Sequence, residues 1–275
     1  MTRRILITGA ASGLGLALAR EYLASGAEVI LTDVHPQAPA AVRELSGQWR
    51  YLRLDVTDDD DWAAAARAVD RLDIVVNNAG IAVGGRLDTT PIESWQRIVD
   101  INLLGVVRGC KTMVPKLDRG GRVVITASAA GLVHAPQMGA YNATKAAAVA
   151  LGETLDGELR PQGISTSVIC PLFFRSGLAS SLSGDDPEAD EAARMLLSRT
   201  RLTSEQVARR SIRGIQARRL VITPDALSTV VWYAKRFTRI PFLAGTRLIG
   251  RVAAGPTAPG RRPGSSAPSR SRRCR

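Results

Sequence analysis

Short apolar runs alternate along the chain with longer stretches whose apolar positions recur at helical spacing. Residues 3–7, 28–32, 51–54, 73–76, 122–126, 165–169 and 220–222 read as strands. Residues 14–25, 60–69, 92–117 and 141–159, rich in Ala or Leu, read as helices. This rhythm predicts βα units joined by right-handed crossovers into a doubly wound, mainly parallel α/β sheet. In such a sheet the ligand crevice lies at the carboxyl ends of the strands.

Length and composition refine the picture. With 275 residues, 45% of them hydrophobic, the chain can bury one large core. A catalytic domain is expected over residues 1–223, with a substrate lid near 177–200. A basic amphipathic extension follows at 224–254, and a disordered tail at 255–275, where Pro, Gly, Ser and Arg leave nothing to offset the ordering entropy. Cys110, Cys170 and Cys274 are far apart, odd in number and lack metal-ligand spacing, so no metal site is expected. The apolar run at residues 5–7 is too short for a secretion signal, and no stretch suits a membrane-spanning helix. A cytoplasmic protein is the expectation.

The net charge of +12 matters through its location. Residues 199–275 hold 18 lysines and arginines against 2 acids, whereas residues 1–198 are net −4. Within the extension, Val230, Val231, Trp232, Phe237, Phe242 and Leu243 lie among Lys235, Arg236, Arg239, Arg247 and Arg251. That pattern suits a helix resting on an anionic membrane, or one packed on the domain with a solvated basic face. Pro241 is expected to interrupt it. The arginine-rich tail lacks interleaved aromatics, so no nucleic-acid partner is expected.

The first strand runs directly into Thr8-Gly9-Ala10-Ala11-Ser12-Gly13-Leu14-Gly15 and then a helix, which gathers backbone N–H groups and the helix dipole where a pyrophosphate can bind. A tight turn without a ligand reads the same way in isolation. Asp33 ends the second strand 18 residues after Gly15, close to the offset at which an acid receives ribose hydroxyls. Its carboxylate opposes the extra phosphate of NADP, and Val34 and His35 follow in place of an arginine, so NAD is expected over NADP.

Tyr141 and Lys145 lie four apart at the start of a helix and share a face. A neighbouring ammonium stabilises a phenolate, lowers the tyrosine pKa and makes Tyr141 a general acid or base. Ser128, just past the fifth strand, is placed to hold the reacting oxygen. Asn102 is a helix-unfavourable choice in the apolar run Ile101-Asn102-Leu103-Leu104. Each residue alone has an ordinary structural reading: core tyrosine, surface lysine, turn cap, satisfied core amide. Together beside a cofactor loop they mark a site. His134 is taken as a loop or substrate-pocket residue.

Thr8 to Gly15, Asn77-Asn78-Ala79-Gly80, Asn102, Ser128 and Tyr141-x-x-x-Lys145, in this order, resemble the short-chain dehydrogenase/reductase family over residues 3 to about 222. The resemblance implies a Rossmann-type fold with a seven-stranded sheet and an NAD(P)-dependent oxidoreductase interconverting a secondary alcohol and a carbonyl. It makes Asn102, Ser128, Tyr141 and Lys145 catalytic, with Asn102 in a water-borne relay to Lys145. It places Gly9, Ser12, Gly13, Leu14, Gly15 and Asp33 on the cofactor, Asp55 and Val56 at the adenine, Asn77, Ala79 and Gly80 along it, and Pro171, Phe174 and Ser176 at the nicotinamide, which Tyr141 and Lys145 also touch. A homodimer or homotetramer through the helices at 92 and 141 is implied as well.

The chain departs from the family after the sixth strand, where Leu172 replaces a glycine and Ser176 a threonine. Phe173, Phe174, Met138, Met195 and Leu196 suggest an apolar substrate, or simply core. The alternatives to an enzyme are a catalytically silent cofactor-binding scaffold and a membrane-surface interaction protein.

Overall fold

The computed structural model describes residues 2–172, 174, 200 and 202–253. Seven parallel strands form one sheet in the order β3-β2-β1-β4-β5-β6-β7: β1 (Arg4–Thr8), β2 (Glu28–Asp33), β3 (Trp49–Arg53), β4 (Leu72–Asn77), β5 (Leu117–Thr126), β6 (Ser165–Ile169) and β7 (Val221–Ile222). The order reverses beside β1, which pairs with both β2 and β4 in register Ile5↔Val29 and Ile5↔Ile74. That reversal opens a crevice at the strands' carboxyl ends.

The period of two along each strand divides the core into two layers. Ile5 and Ile7 face one side with Val29, Leu31 and Val76, under α1 (Gly13–Ala24) and α8 (Ser204–Gln216). Leu6, Ile30, Val75, Val123 and Ile125 face the other, under α3 (Asp59–Ala68), α5 (Gly105–Met113) and α7 (Gly139–Leu159). Short helices α2 (Ala40–Arg43) and α6 (Ala130–Val133) fill connections. Residues 4–8, 28–33 and 165–169 are thus strands covered on both faces, as parallel sheets require.

Helix starts follow local chemistry. Asp58 caps α3 by accepting from the Asp60 and Asp61 N–H groups, and three aspartates fill the first turn against the helix dipole. Thr203 and Gln206 form a reciprocal capping box at α8.

The expected helix at 92–117 is broken into parts. α4 (Ile92–Val99) passes into a π-turn at Asp100–Leu104, where the Gly105 N–H bonds the Asp100 carbonyl five residues back, and α5 follows. Two contacts explain the accommodation. Asn102 is drawn inward to bond Ile81, and Gly105 packs so closely on Val56 that a Cβ there would lie 2.9 Å from its Cγ2. A 3₁₀ turn at Val114–Lys116 then brings in β5 at Leu117, five residues before the expected start.

Beyond β7, α9 (Ala226–Phe237) and α10 (Arg239–Ala253) form the extension. The interruption falls at Thr238, not at Pro241, because a proline fits the first turn of α10 without losing a helical hydrogen bond. α9 packs inward through the buried Ser228 and half-buried Trp232. The Lys235 ammonium donates to the Leu132 carbonyl (2.6 Å) and meets His134 Nδ1 (2.8 Å). Phe173, Ser176, all but the last residue of the lid expected near 177–200, and the tail expected at 255–275 lie outside the described residues.

Candidate active site

A crevice of about 780 Å3 crosses the carboxyl ends of the central strands, walled at one end by the glycine loop and at the other by α6, α7 and the turn after β6. Gly9 and Gly13 adopt φ of +62° and +54°, the left-handed region that a side chain resists. A Cβ on Gly9 would also lie 2.8 Å from the Ala79 Cα. Ser12 caps α1 with its backbone only, and no acid occupies the first turn, unlike α3 and α8. The N–H groups and positive dipole end of α1 therefore face the crevice without an internal anion. Gly15 does not line the crevice. Its bare Cα lets the Gly9 carbonyl and the Asn78 amide close over the helix.

Asp33 is fixed to this loop, its Oδ2 accepting the Ala11 N–H at 3.0 Å, with His35 Nε2 3.9 Å from its Oδ1. Asp55 and Val56 border the crevice beside it. The Asp55 carboxylate accepts from the Thr57 N–H and hydroxyl at 2.9 and 2.8 Å, which shapes that loop, and the Val56 carbonyl is held by the Trp62 indole.

The Asn77-Asn78 pair corrects one expectation. Asn77 ends β4 and points away from the crevice to the Cys110 thiol of α5, 3.4 Å away, with its buried Oδ1 lacking a hydrogen-bond partner. Asn78 lines the crevice instead, donating to the Thr8 and Gly9 carbonyls and accepting from the Thr126 hydroxyl. Strand alternation sends the two side chains to opposite faces, a signal already present in the sequence. Ala79 and Gly80 line the crevice.

Ser128, Tyr141 and Lys145 meet at the far end, all buried. The Ser128 hydroxyl accepts the Ala130 N–H (3.1 Å), donates toward the Pro171 carbonyl (3.3 Å) and bonds Tyr141. Lys145 Nζ sits 5.7 Å from the Tyr141 ring centre and donates to the Thr126 carbonyl at 2.9 Å. Burial pushes Tyr141 up to about 12 against the opposing Ser128 hydrogen bond, and pushes Lys145 down to about 8. The expected depression of the tyrosine by its lysine is absent from this state: the ammonium is turned to Thr126, and desolvation outweighs the Ser128 hydrogen bond. Tyr141 stands as a phenol, an acid poised to give a proton.

Asn102 is fully buried behind the crevice wall. Its amide bonds both the N–H and the carbonyl of Ile81 at 2.9 Å. Gly80 lies between it and the lysine: a Cβ there would stand 3.1 Å from Asn102 Oδ1 and 3.3 Å from Lys145 Nζ. His134, at φ +56°, is a loop residue outside the crevice. Burial and the neighbouring Lys235 ammonium lower its pKa, and Val133 and Ala135 on either side of it form the wall.

The substrate end is apolar, with Ile81, Val133, Met138, Leu172 and Phe174 around Pro171. Sequence reasoning missed Asp225. It caps α9 through the Ser228 N–H (2.7 Å) and with its second oxygen accepts the Leu172 N–H (3.2 Å), fixing the turn in which Leu172 departs from glycine.

A family model described as short chain dehydrogenase matches residues 3–187. The 3-alpha-(or 20-beta)-hydroxysteroid dehydrogenase of Mycobacterium bovis is 35% identical over 187 residues, covering 66% of this chain and 72% of that protein. The cyclopentanol dehydrogenase of a Comamonas species is 33% identical over 208 residues, covering 72% and 82%. The crystal structure of a short chain dehydrogenase/reductase from Burkholderia phymatum in complex with NAD superposes with a TM-score of 0.79 at 28% identity, covering 87% of this chain and 95% of that one.

Proposed function

The chain belongs to the short-chain dehydrogenase/reductase family, a family of nicotinamide-dependent oxidoreductases, and from that premise we propose that it interconverts a hydrophobic secondary alcohol and its ketone with NAD, using Tyr141 for the proton. The observation that carries the reading is the convergence of Tyr141, Ser128 and Lys145, all buried, beside an apolar pocket at the strand ends. The hydroxysteroid and cyclopentanol dehydrogenases among its relatives support an apolar alcohol.

The glycine loop and the α1 N-terminus fit a pyrophosphate by backbone geometry alone. Asp33, tied to Ala11, favours free ribose hydroxyls and repels a phosphate there, which selects NAD over NADP. Asp55, Val56, Asn78, Ala79 and Gly80 line the same half, while Pro171 and Phe174 belong to the nicotinamide end. Bound in this crevice, the cofactor supplies or receives the hydride.

Tyr141 gives its phenolic proton to the carbonyl oxygen in reduction and takes the hydroxyl proton in oxidation. Ser128 donates to that oxygen and holds it within reach of the phenol. The Lys145 ammonium, released from Thr126, lies close enough to stabilise a phenolate. Asn102 positions the Gly80-Ile81 turn that forms the wall behind the lysine. A homodimer or homotetramer would assemble through α4, where Ile92 is exposed, and α7.

Separate fluorescence titrations with NADH and NADPH test the cofactor half, with Asp33→Ala in parallel. Tight NADH binding is expected, with NADPH at least about tenfold weaker and the gap narrowed by the mutation. Failure to bind either sinks the reading. Binding without turnover of any apolar alcohol or ketone makes the chain a silent scaffold.

A further inference from the structure

The extension carries an interaction surface that the oxidoreductase reading leaves unused. α9 is held on the domain by its inner side, through Ser228, Trp232 and Lys235. Its outer side presents Leu227, Val230, Tyr233 and Phe237 at the spacing of a single helical face, and they are 59%, 63%, 47% and 75% exposed. The Tyr233 and Phe237 rings stack with centroids 5.9 Å apart. Ile240, three residues further on in α10, is 84% exposed. Arg236 and Arg239 are exposed within the same stretch. Monomeric surfaces rarely carry so many large apolar side chains together.

Charge selects the occupant. Residues 226–275 contain 11 lysines and arginines and no acid, so nearly all of the +12 on the chain follows this helix. A second copy would bring two such cationic segments together, and nucleic acid offers no apolar interior for Val230 and Phe237. An occupant with both an apolar interior and negative charge is the leaflet of a membrane. We propose that the outer face of α9, with Ile240 of α10, docks on an anionic lipid bilayer: the apolar side chains enter the acyl boundary and the arginines meet the headgroups. α9 also holds Leu172 through Asp225 and α6 through Lys235, so a lipid surface there lies near the apolar end of the crevice.

The test is co-sedimentation of the full chain with vesicles of phosphatidylcholine alone, or mixed with phosphatidylglycerol, alongside Val230→Ser/Phe237→Ser and Arg236→Gln/Arg239→Gln. Circular-dichroism melting checks that both variants fold. Binding to the anionic vesicles alone, weakened by salt and reduced about tenfold by each double variant, is the expected result. Four outcomes overturn the proposal. The wild type fails to bind anionic vesicles. The Val230→Ser/Phe237→Ser variant binds as well as wild type, so that the basic tail acts alone. The wild type is an assembly that this variant dissociates, with no vesicle binding. Or, again without vesicle binding, the variant exposes residues 175–199 to protease, which makes that acidic segment of the chain the occupant.

Discussion

The two ends of the crevice are built on different principles. The cofactor end is shaped by backbone: two glycines at positive φ, a helix N-terminus without a side-chain cap, and an aspartate tied to a loop N–H. The catalytic end is shaped by buried ionisable side chains whose proton affinities are moved by burial in opposite directions, the phenol up and the ammonium down. Geometry should therefore govern binding, with little pH dependence near neutrality, and protonation should govern turnover.

Tyr141→Phe breaks the comparison at its most sensitive point. It removes the proposed proton donor and keeps the ring that packs with Ala82, Val83 and Ile98. We expect kcat to fall about a thousandfold, with NADH affinity changed by less than about twofold. A parallel loss of cofactor affinity in the fluorescence titration would mean that the two ends are not separable. Gly9→Ala probes the other end. The substitution forces a side chain into the left-handed region and toward the Ala79 Cα, at a cost of about 2–3 kcal/mol. NADH affinity should drop roughly 30- to 100-fold or thermal stability should fall with it, while the pH dependence of the remaining turnover is unchanged.

Much of this was legible beforehand, and what was not has a common cause. All seven strands overlap the apolar runs, though β5 begins five residues early, and Gly9, Gly13, Asp33, Ser128, Tyr141 and Lys145 all reach one crevice. Their signals are local: a turn needs glycine, a strand needs apolar residues, and helical neighbours lie four apart. What escaped depends on tertiary surroundings. The amide of Asn102 bends its helix into a π-turn because Ile81 offers two backbone partners from another segment. The phenol of Tyr141 moves up because burial outweighs the Ser128 hydrogen bond, and no spacing rule reports burial. α8 is the exception. Its Thr203-x-x-Gln206 capping box is plain in the sequence, in a stretch read for charge alone.

Lys145 separates activity from stability. In the cofactor-free protein its folded value of about 8 lies below the roughly 10.4 of an unfolded lysine. Between these values the unfolded chain holds a proton that the folded protein has released, so stability rises with pH across that window, by on the order of 3 kcal/mol from this group. Activity moves the other way: kcat/KM for ketone reduction should decline as pH passes about 8 and the ammonium is lost. Urea melts of wild type and Lys145→Met across pH 8 to 10 check the first statement, since the variant should lose most of the rise. A pH profile of kcat/KM checks the second.

The smallest effect is expected at the seam between the catalytic end and the C-terminal helices. Asp225 caps α9 with one oxygen and accepts the Leu172 N–H with the other. In Asp225→Asn the single remaining carbonyl oxygen can serve only one of these well. The cap to Ser228, at 2.7 Å, is the shorter bond and should keep it, leaving Leu172 loosened. Leu172 borders the apolar pocket and makes no part of the glycine loop, so KM for an apolar substrate should rise about threefold, with NADH affinity and kcat nearly unchanged. Asp225→Ala removes both bonds and should add about 1 kcal/mol of lost stability from the missing cap. Steady-state kinetics on the two variants separate the contributions: a KM effect in the alanine variant alone would place the whole influence of Asp225 in the helix cap and none in the turn.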